Sequence, residues 1–134
     1  MDFIEYNSEK LIEFYKENGL EFDENKGYFG KNTKSFILKE NNIIIGAVTV
    51  SNYKDKNFIE ALAVDKLYRN KNYGRALLEK AINELEKPIY VISKIDKFYL
   101  KNKFKYDNTD LIGKECKECK MYNKNCFPRV LVYN

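Results

Sequence analysis

Histidine and tryptophan are absent from this chain of 134 residues, and proline occurs only twice. The absence of histidine removes the commonest general base, the commonest metal ligand and the usual partner of a serine or cysteine nucleophile. Acid–base chemistry must therefore rest on carboxylates, phenols, amines, thiols or the backbone. Long apolar runs are absent as well, and none approaches the length that a membrane-spanning helix needs. We accordingly expect no membrane partner.

Cysteine is scarce, and its three copies, Cys116, Cys119 and Cys126, lie near the end of the chain. An odd number of clustered thiols does not suit a disulfide scaffold. Cys116 and Cys119 have the spacing of a metal knuckle, but three thiolates leave a tetrahedral zinc ion one ligand short. We expect no metal site in the monomer and no catalytic thiol. The alternatives are structural thiols, a cysteine at the substrate mouth, or a zinc site completed by water, a carboxylate or a second subunit.

The composition is typical of a soluble globular protein, with 44% hydrophobic and 33% charged residues. The length suits a single domain over residues 1–134. The net charge of +4 comes from lysines interleaved with acidic residues, which indicates a solvated surface and not a nucleic-acid-binding face. The first residues, MDFIEYNSEK, lack the layout of a secretion signal. We therefore expect a cytoplasmic monomer or homodimer without a nucleic-acid partner.

Periodicity and turn residues predict an α/β (α+β) fold, a mixed sheet with helices on its faces. Asn7 or Ser8 is expected to cap the first helix and Gly19 to end it. The run at 89–93 is wholly apolar, so we expect a strand buried on both faces, whereas the last two strands are candidate edge strands. Helices are predicted at residues 8–18 and 96–102, and a further helix is predicted to end at Lys87-Pro88. A hairpin of two strands is predicted over 35–51, with its turn at Glu40-Asn41-Asn42. The other predicted strands are 58–64, 89–93, 104–106 and 130–133.

The stretch YRNKNYGRALLEKA, from Tyr68 to Ala81, joins a polar loop directly to an apolar helical stripe. The first amides of a helix have no intrahelical partners and the helix dipole is positive there, so a phosphate group is stabilised. Gly74 keeps the backbone approachable, and Asn72 tolerates a left-handed conformation. The loop lacks the signatures of a Walker loop and of a dinucleotide-binding fold. It therefore predicts a phosphate cradle of another kind, with a solvated helix start as the alternative.

The segment IEALAVDKLYRNKNYGRALLEKAINELE resembles motif A of the GNAT superfamily of N-acetyltransferases, in which a strand, an Arg/Gln-x-x-Gly-x-Gly/Ala loop and a helix bind the pyrophosphate of acetyl-CoA. Arg69, Asn72 and Gly74 occupy the first, fourth and sixth positions of that loop. Asn72 replaces a glycine of the family, so the loop requires a positive φ at this asparagine. ENNIIIGAVTV resembles the second and third strands of the family, and FYLKNKF its Tyr-bearing segment, with Lys103 where glycine is usual.

The resemblance implies a GNAT-like, mostly antiparallel sheet that splays where the 58–64 and 89–93 strands part, with acetyl-CoA as co-substrate in the splay. It implies direct acetyl transfer to the primary amine of a small molecule or peptide, without a metal. A non-catalytic acyl-CoA sensor or interaction module is the alternative. The cofactor-binding residues implied are Leu62, Ala63, Val64, Arg69, Asn70, Lys71, Asn72, Tyr73, Gly74 and Arg75.

Glu60 and Tyr99 are the candidate catalytic residues. Strand alternation would place Glu60 on the face of Leu62 and Val64, among apolar side chains, where it suits a general base that acts on an ammonium through water. The resemblance assigns to Tyr99 the protonation of the departing CoA thiolate. The alternatives are an exposed strand glutamate paired with a lysine and a core aromatic residue.

Overall fold

The computed structural model describes residues 2–20, 32–53, 55–93, 96–107 and 129–134. These residues form seven strands and three α-helices, with 3₁₀ turns at Ser8–Leu11 and Lys66–Tyr68. The elements are β1 Ile4–Tyr6, α1 Ile12–Glu17, β2 Thr33–Glu40, β3 Ile43–Tyr53, β4 Lys56–Val64, α2 Tyr73–Glu84, β5 Ile89–Ser93, α3 Asp96–Lys101, β6 Lys105–Tyr106 and β7 Arg129–Tyr133.

The strands of the described residues form one sheet in the order β1-β2-β3-β4-β5-β7-β6. Only β4 and β5 pair in parallel, and every other neighbouring pair is antiparallel. The predicted mixed, mostly antiparallel sheet with helices is confirmed. The sequence did not predict β1, whose three residues are too short to show a period.

The strand at 130–133 was wrongly predicted to be an edge strand. β7 lies between β5 and β6, and its residues Val130, Leu131 and Val132 are all buried. Side chains of successive strand residues point to opposite faces, so three buried residues in a row require cover on both faces. The strand at 89–93 was wrongly predicted to be buried on both faces, because Ile92 is 39% exposed.

The hairpin between β2 and β3 turns at Asn41 and Asn42, as predicted. Both residues have a positive φ, 53° and 64°, which is the conformation of a type I′ turn. Asparagine tolerates this conformation better than most residues. The turn sets the register in which Glu40 pairs with Ile43, and a register shift between Lys39 and Leu38 then gives the pairs Phe36–Val48 and Ser35–Thr49.

Two apolar clusters cover opposite faces of the sheet, as the alternation of their strand residues requires. We call them the α2-side and the α1-side clusters. The α2-side cluster includes Val48, Ile59, Leu77, Leu78, Val91, Tyr99 and Leu131; the α1-side cluster consists of Leu11, Tyr15, Ile37, Ala47, Ala61 and Ala63.

The first helical segment begins as a 3₁₀ turn and continues as α1. The side chain of Asn7 accepts hydrogen bonds from the backbone N–H groups of Glu9 and Lys10, and Gly19 ends the segment with a φ of 97°. Both predicted end residues are thus confirmed. None of the described helices has the length and apolar character needed to cross a membrane.

Candidate active site

A gap opens between the two parallel strands of the sheet. β4 pairs with β5 only from Asn57, opposite Ile89, to Ile59, opposite Val91. β3 stays paired with β4 as far as Val64. The edge of β4 from Glu60 to Val64 therefore faces the gap, and the predicted splay between these two strands is confirmed.

A β-bulge at Glu60 overturns the predicted orientation of this carboxylate. Thr49 pairs with Ala61 and Val50 with Ile59, so Glu60 is the extra residue of β4. The bulge reverses the alternation: Ile59 belongs to the α2-side cluster and Ala61 to the α1-side cluster. Leu62 and Val64 pack against the α2-side cluster, and Ala63 belongs to the α1-side cluster.

The carboxylate of Glu60 lies on the α1 side of the sheet, opposite to the side chains of Leu62 and Val64. There it contacts a hydroxyl. Ser51 Oγ donates a hydrogen bond to Glu60 Oε1 over 2.5 Å. Ser51 is 7% exposed, whereas the Glu60 side chain is exposed. Burial among apolar groups therefore does not act on this carboxylate, and the sequence prediction on that point was wrong.

Polar residues near Glu60 form a chain of hydroxyls between α1 and the sheet. Ser8 Oγ is bonded to Ser35 Oγ at 2.6 Å, Ser35 Oγ to Thr49 Oγ1 at 2.6 Å, and Thr49 Oγ1 to the hydroxyl of Tyr15 at 2.7 Å. Ser35, Thr49 and Tyr15 are completely buried. The sequence analysis missed this chain, although Thr49 and Ser51 alternate with apolar residues along one strand.

Tyr99 lies on the other face of the sheet, in the α2-side cluster, with 6% of its surface exposed. Its ring makes edge contacts with Phe98 and Phe104, at centroid distances of 5.1 and 5.3 Å. Burial raises the pKa of Tyr99 well above the ordinary value for a phenol. The hydroxyl therefore stays protonated at neutral pH and is a potential proton donor.

Tyr15 is a second buried phenol. Burial raises the pKa of Tyr15 well above its ordinary value, the hydrogen bond with Thr49 acts in the opposite direction, and Tyr99 adds a smaller upward contribution. The two phenols come from helices on opposite faces of the sheet and still interact electrostatically. The sheet at this point thus separates two neutral hydroxyls.

The helices that carry the two tyrosines end in the same way. In α1, the N–H of Leu20 bonds to the carbonyl of Tyr15, and Gly19 is in the left-handed region. In α3, the N–H of Phe104 bonds to the carbonyl of Tyr99, and Lys103 has a φ of 73°. Both are Schellman caps, which hold the turn that carries the tyrosine.

The loop before α2 has the conformation that the predicted phosphate cradle requires. Asn72 has a φ of 66° at the N-cap of α2, and Asn70 has a φ of 65°. The first intrahelical hydrogen bond runs from the N–H of Ala76 to the carbonyl of Asn72. The N–H groups of Tyr73, Gly74 and Arg75 come before this bond in the chain, so they have no intrahelical partner and are available to an anion.

Arg69 braces the loop. Its Nε donates to the carbonyl of Val64 over 3.1 Å, and its Nη2 donates to the carbonyl of Asn18 over 3.2 Å. The guanidinium thus joins the end of β4 to the end of the α1 segment, whereas Lys71 stands over the ring of Tyr68 at 5.5 Å.

Gly74 lies where α2 meets α3. A β-carbon at this position would be 3.5 Å from Phe98 Cε1 and 3.8 Å from Val64 Cγ2, which are ordinary contact distances. The protein itself therefore leaves room for alanine at this position. The three cysteines, by contrast, lie outside the described residues, and within the described ranges no group of three or more metal-binding side chains occurs.

Comparison with known families identifies the class of protein. The model of the acetyltransferase (GNAT) family matches residues 3–102. The chain therefore belongs to the GNAT acetyltransferase family, and it carries that family's enzyme domain. No curated protein sequence matches the chain significantly.

Solved structures share the fold. A GNAT acetyltransferase from Staphylococcus aureus Mu50 superposes with a TM-score of 0.66 and 20% identity over 99% of this chain and 98% of that one. The ribosomal-protein-S18-alanine N-acetyltransferase of Escherichia coli gives a TM-score of 0.66 and 18% identity, over 98% and 90% of the two chains. The N-acetylglutamate synthase of Neisseria gonorrhoeae, complexed with coenzyme A and N-acetyl-glutamate, gives 0.65 and 16%, over 98% and 35%.

Proposed function

We propose that this protein transfers the acetyl group of acetyl-CoA directly to a primary amine. The observation that carries the proposal is the edge of β4 from Glu60 to Val64, which in the described residues has no strand partner on the β5 side and leads into the loop before α2. At the end of this edge the carbonyl of Val64 accepts a hydrogen bond from Arg69. This groove would hold an extended ligand whose anionic group lies at the loop and whose reactive group lies beside the Glu60 carboxylate. Acetyl-CoA has that shape, with its pyrophosphate and acetyl group at opposite ends.

The residues of the groove fit the co-substrate. The amides between Lys71 and Arg75 would bind the pyrophosphate, since the helix N-terminus favours negative charge. The backbone from Leu62 to Val64 would pair with the amide groups of the pantetheine arm. The coenzyme A bound to the N-acetylglutamate synthase named above supports acetyl-CoA as the co-substrate.

The two candidate catalytic groups divide the proton transfers. Glu60, through a water molecule, would take the proton of the attacking ammonium from the α1 side. As the C–N bond forms and the C–S bond breaks, Tyr99 would donate its proton to the leaving sulfur from the α2 side. Burial raises the pKa of Tyr99, so at neutral pH the phenol holds the proton that this role requires.

The acceptor is expected to be an amine of a small molecule or a peptide. The names of the alanine N-acetyltransferase and the N-acetylglutamate synthase support nitrogen as the acceptor atom. Holding the amine and the thioester in one groove would supply much of the rate by proximity. The cytoplasmic location and the single domain over 1–134 stay predictions.

The test is acetyl-CoA-dependent release of free thiol with a panel of amines: L-lysine, spermidine, kanamycin and a peptide that begins with alanine. With the best amine, we expect Glu60→Gln and Tyr99→Phe each to lower kcat about 10²-fold, the usual scale for a lost acid or base, without weakening acetyl-CoA binding. Glu86→Gln and Tyr133→Phe are the matched controls.

Two outcomes would contradict the proposal. Full activity of both variants would mean that other groups carry the protons. Tight acetyl-CoA binding without thiol release for any amine would favour the acyl-CoA sensor instead.

A further inference from the structure

We propose that Ser51 is a positioning residue, which orients the Glu60 carboxylate for the attacking amine. The inference rests on the proposed function, because it assigns Ser51 a role through the proposed base. Its observation is the hydrogen bond of 2.5 Å from Ser51 Oγ to Glu60 Oε1, which crosses from β3 to the bulge of β4.

The donor is held firmly. Ser51 lies within β3, and its backbone pairs with Thr33 on β2 and with Phe58 on β4. Its side chain is almost fully buried. The sheet fixes the backbone of Ser51 on both sides and the side chain is buried, so the hydroxyl has little freedom to leave Glu60.

The acceptor needs such a bond. Glu60 is the extra residue of a bulge and its side chain is exposed, so the packing of its neighbours does not select a rotamer. Among the described residues, Ser51 is the one that makes a hydrogen bond to its carboxylate. Oε1 is thereby occupied, and Oε2 is left for the water or the ammonium.

Two titratable groups on α1 and β4 are neutral or have another partner. Tyr15 stands on the same side of the sheet and stays neutral, since burial raises its pKa. The ammonium of Lys56, on the same strand as Glu60, lies 5.1 Å from the centre of the Tyr90 ring. The hydroxyl of Ser51 is the group that orients the carboxylate.

The first test needs no substrate. Carbon-13 signals of the glutamate carboxyls are recorded for the free protein at neutral pH, and Glu60→Gln identifies the signal of Glu60. Ser51→Ala should shift this signal, since the hydrogen bond to the carboxylate is lost. Ser51→Thr keeps the hydroxyl and should restore the position of the signal. Thr33→Val, which removes a hydroxyl from the neighbouring strand, is the control.

The second test is a double-mutant cycle on turnover with the best amine of the panel. Ser51→Ala should lower kcat/KM about tenfold, the scale of one hydrogen bond to a charged group, and leave the affinity for acetyl-CoA unchanged. In the Glu60→Gln background the same change should have no further effect, because the group that Ser51 orients is gone.

Each failure has its own signature. An unmoved carboxyl signal in Ser51→Ala, or an equal loss of turnover in both backgrounds, would overturn the role of Ser51. Wild-type turnover in Glu60→Gln would overturn the proposed base itself, and the positioning role with it, even if the signal still moves.

Discussion

Lys103 occupies a backbone conformation that glycine adopts with least strain. Its φ of 73° places it at the left-handed position of the cap that ends α3. The equivalent position after α1 is Gly19, with a φ of 97°. In the family pattern a glycine is usual where this chain has Lys103, and the structure supplies the reason: the turn behind Tyr99 needs a positive φ.

We expect Lys103→Gly to stabilise the protein by about 1 kcal/mol, because it removes the steric cost of a side chain in the left-handed region. The matched control is Lys101→Gly, inside α3, which should destabilise by about 1 kcal/mol. Urea unfolding of the three proteins decides between these directions. A loss of stability in both glycine variants would show that Lys103 contributes contacts worth more than its strain.

The loop and α2 act together as an element. The apolar stripe of α2 was predicted, and Leu77, Leu78 and Ala81 are buried against the sheet. Asn72 has a positive φ because the chain reverses its direction between Arg69 and the first turn of α2. Asparagine and glycine are the residues that adopt this φ most readily.

For this element we expect Asn72→Gly to keep acetyl-CoA affinity and Asn72→Val to weaken it about tenfold, because a β-branched residue strains the left-handed position by 1–3 kcal/mol, on the order of one decade or more in affinity. Isothermal calorimetry with acetyl-CoA measures both. Equal binding by the valine variant would mean that the loop does not hold the pyrophosphate.

Gly74 tests the same element from the ligand side. Gly74→Asp should abolish binding, because it adds a side chain and a negative charge where the pyrophosphate should approach. Gly74→Ala keeps ordinary contacts with Phe98 and Val64, and it is the control for folding. Unchanged affinity in a folded aspartate variant would remove the cradle from the proposal.

In the whole molecule, two buried phenols lie on opposite faces of the sheet, and their raised pKa values link stability to alkaline pH. The folded protein holds both protons to a higher pH than the unfolded chain, whose phenols ionise near pH 10. The unfolded state therefore loses protons first as the pH rises. Stability from these groups is complete below about pH 9 and falls above it.

Between pH 9 and pH 11 we expect the wild-type protein to lose about 1 kcal/mol more unfolding free energy than Tyr99→Phe does. Tyr15→Phe should show the same reduced loss, and the double variant should show both. Urea unfolding at the two pH values gives the differences, in which the titration of the lysines cancels. Parallel losses in all four proteins would mean that the phenols do not stay protonated in the fold.

The sequence by itself determined the elements whose signals are local. Apolar periodicity identified α2, the two asparagines identified the hairpin turn, and the order of strand, loop and helix identified the loop in which the phosphate cradle is predicted. Each depends on residues a few positions apart, where propensity and backbone sterics act directly. Tyr99 and the loop before α2 could therefore be located in the sequence without a tertiary structure.

Only the tertiary structure decided where Glu60 points and what it meets. The face of a strand residue follows from period two until a bulge adds a residue, and the bulge arises from the pairing of β4 with β3. Ser51, nine residues away, becomes its partner through that same pairing. β7 likewise becomes an inner strand because it pairs with both β5 and β6, which its own five residues do not encode. The local sequence is equally compatible with several strand registers. The packing of the whole sheet selects one of them.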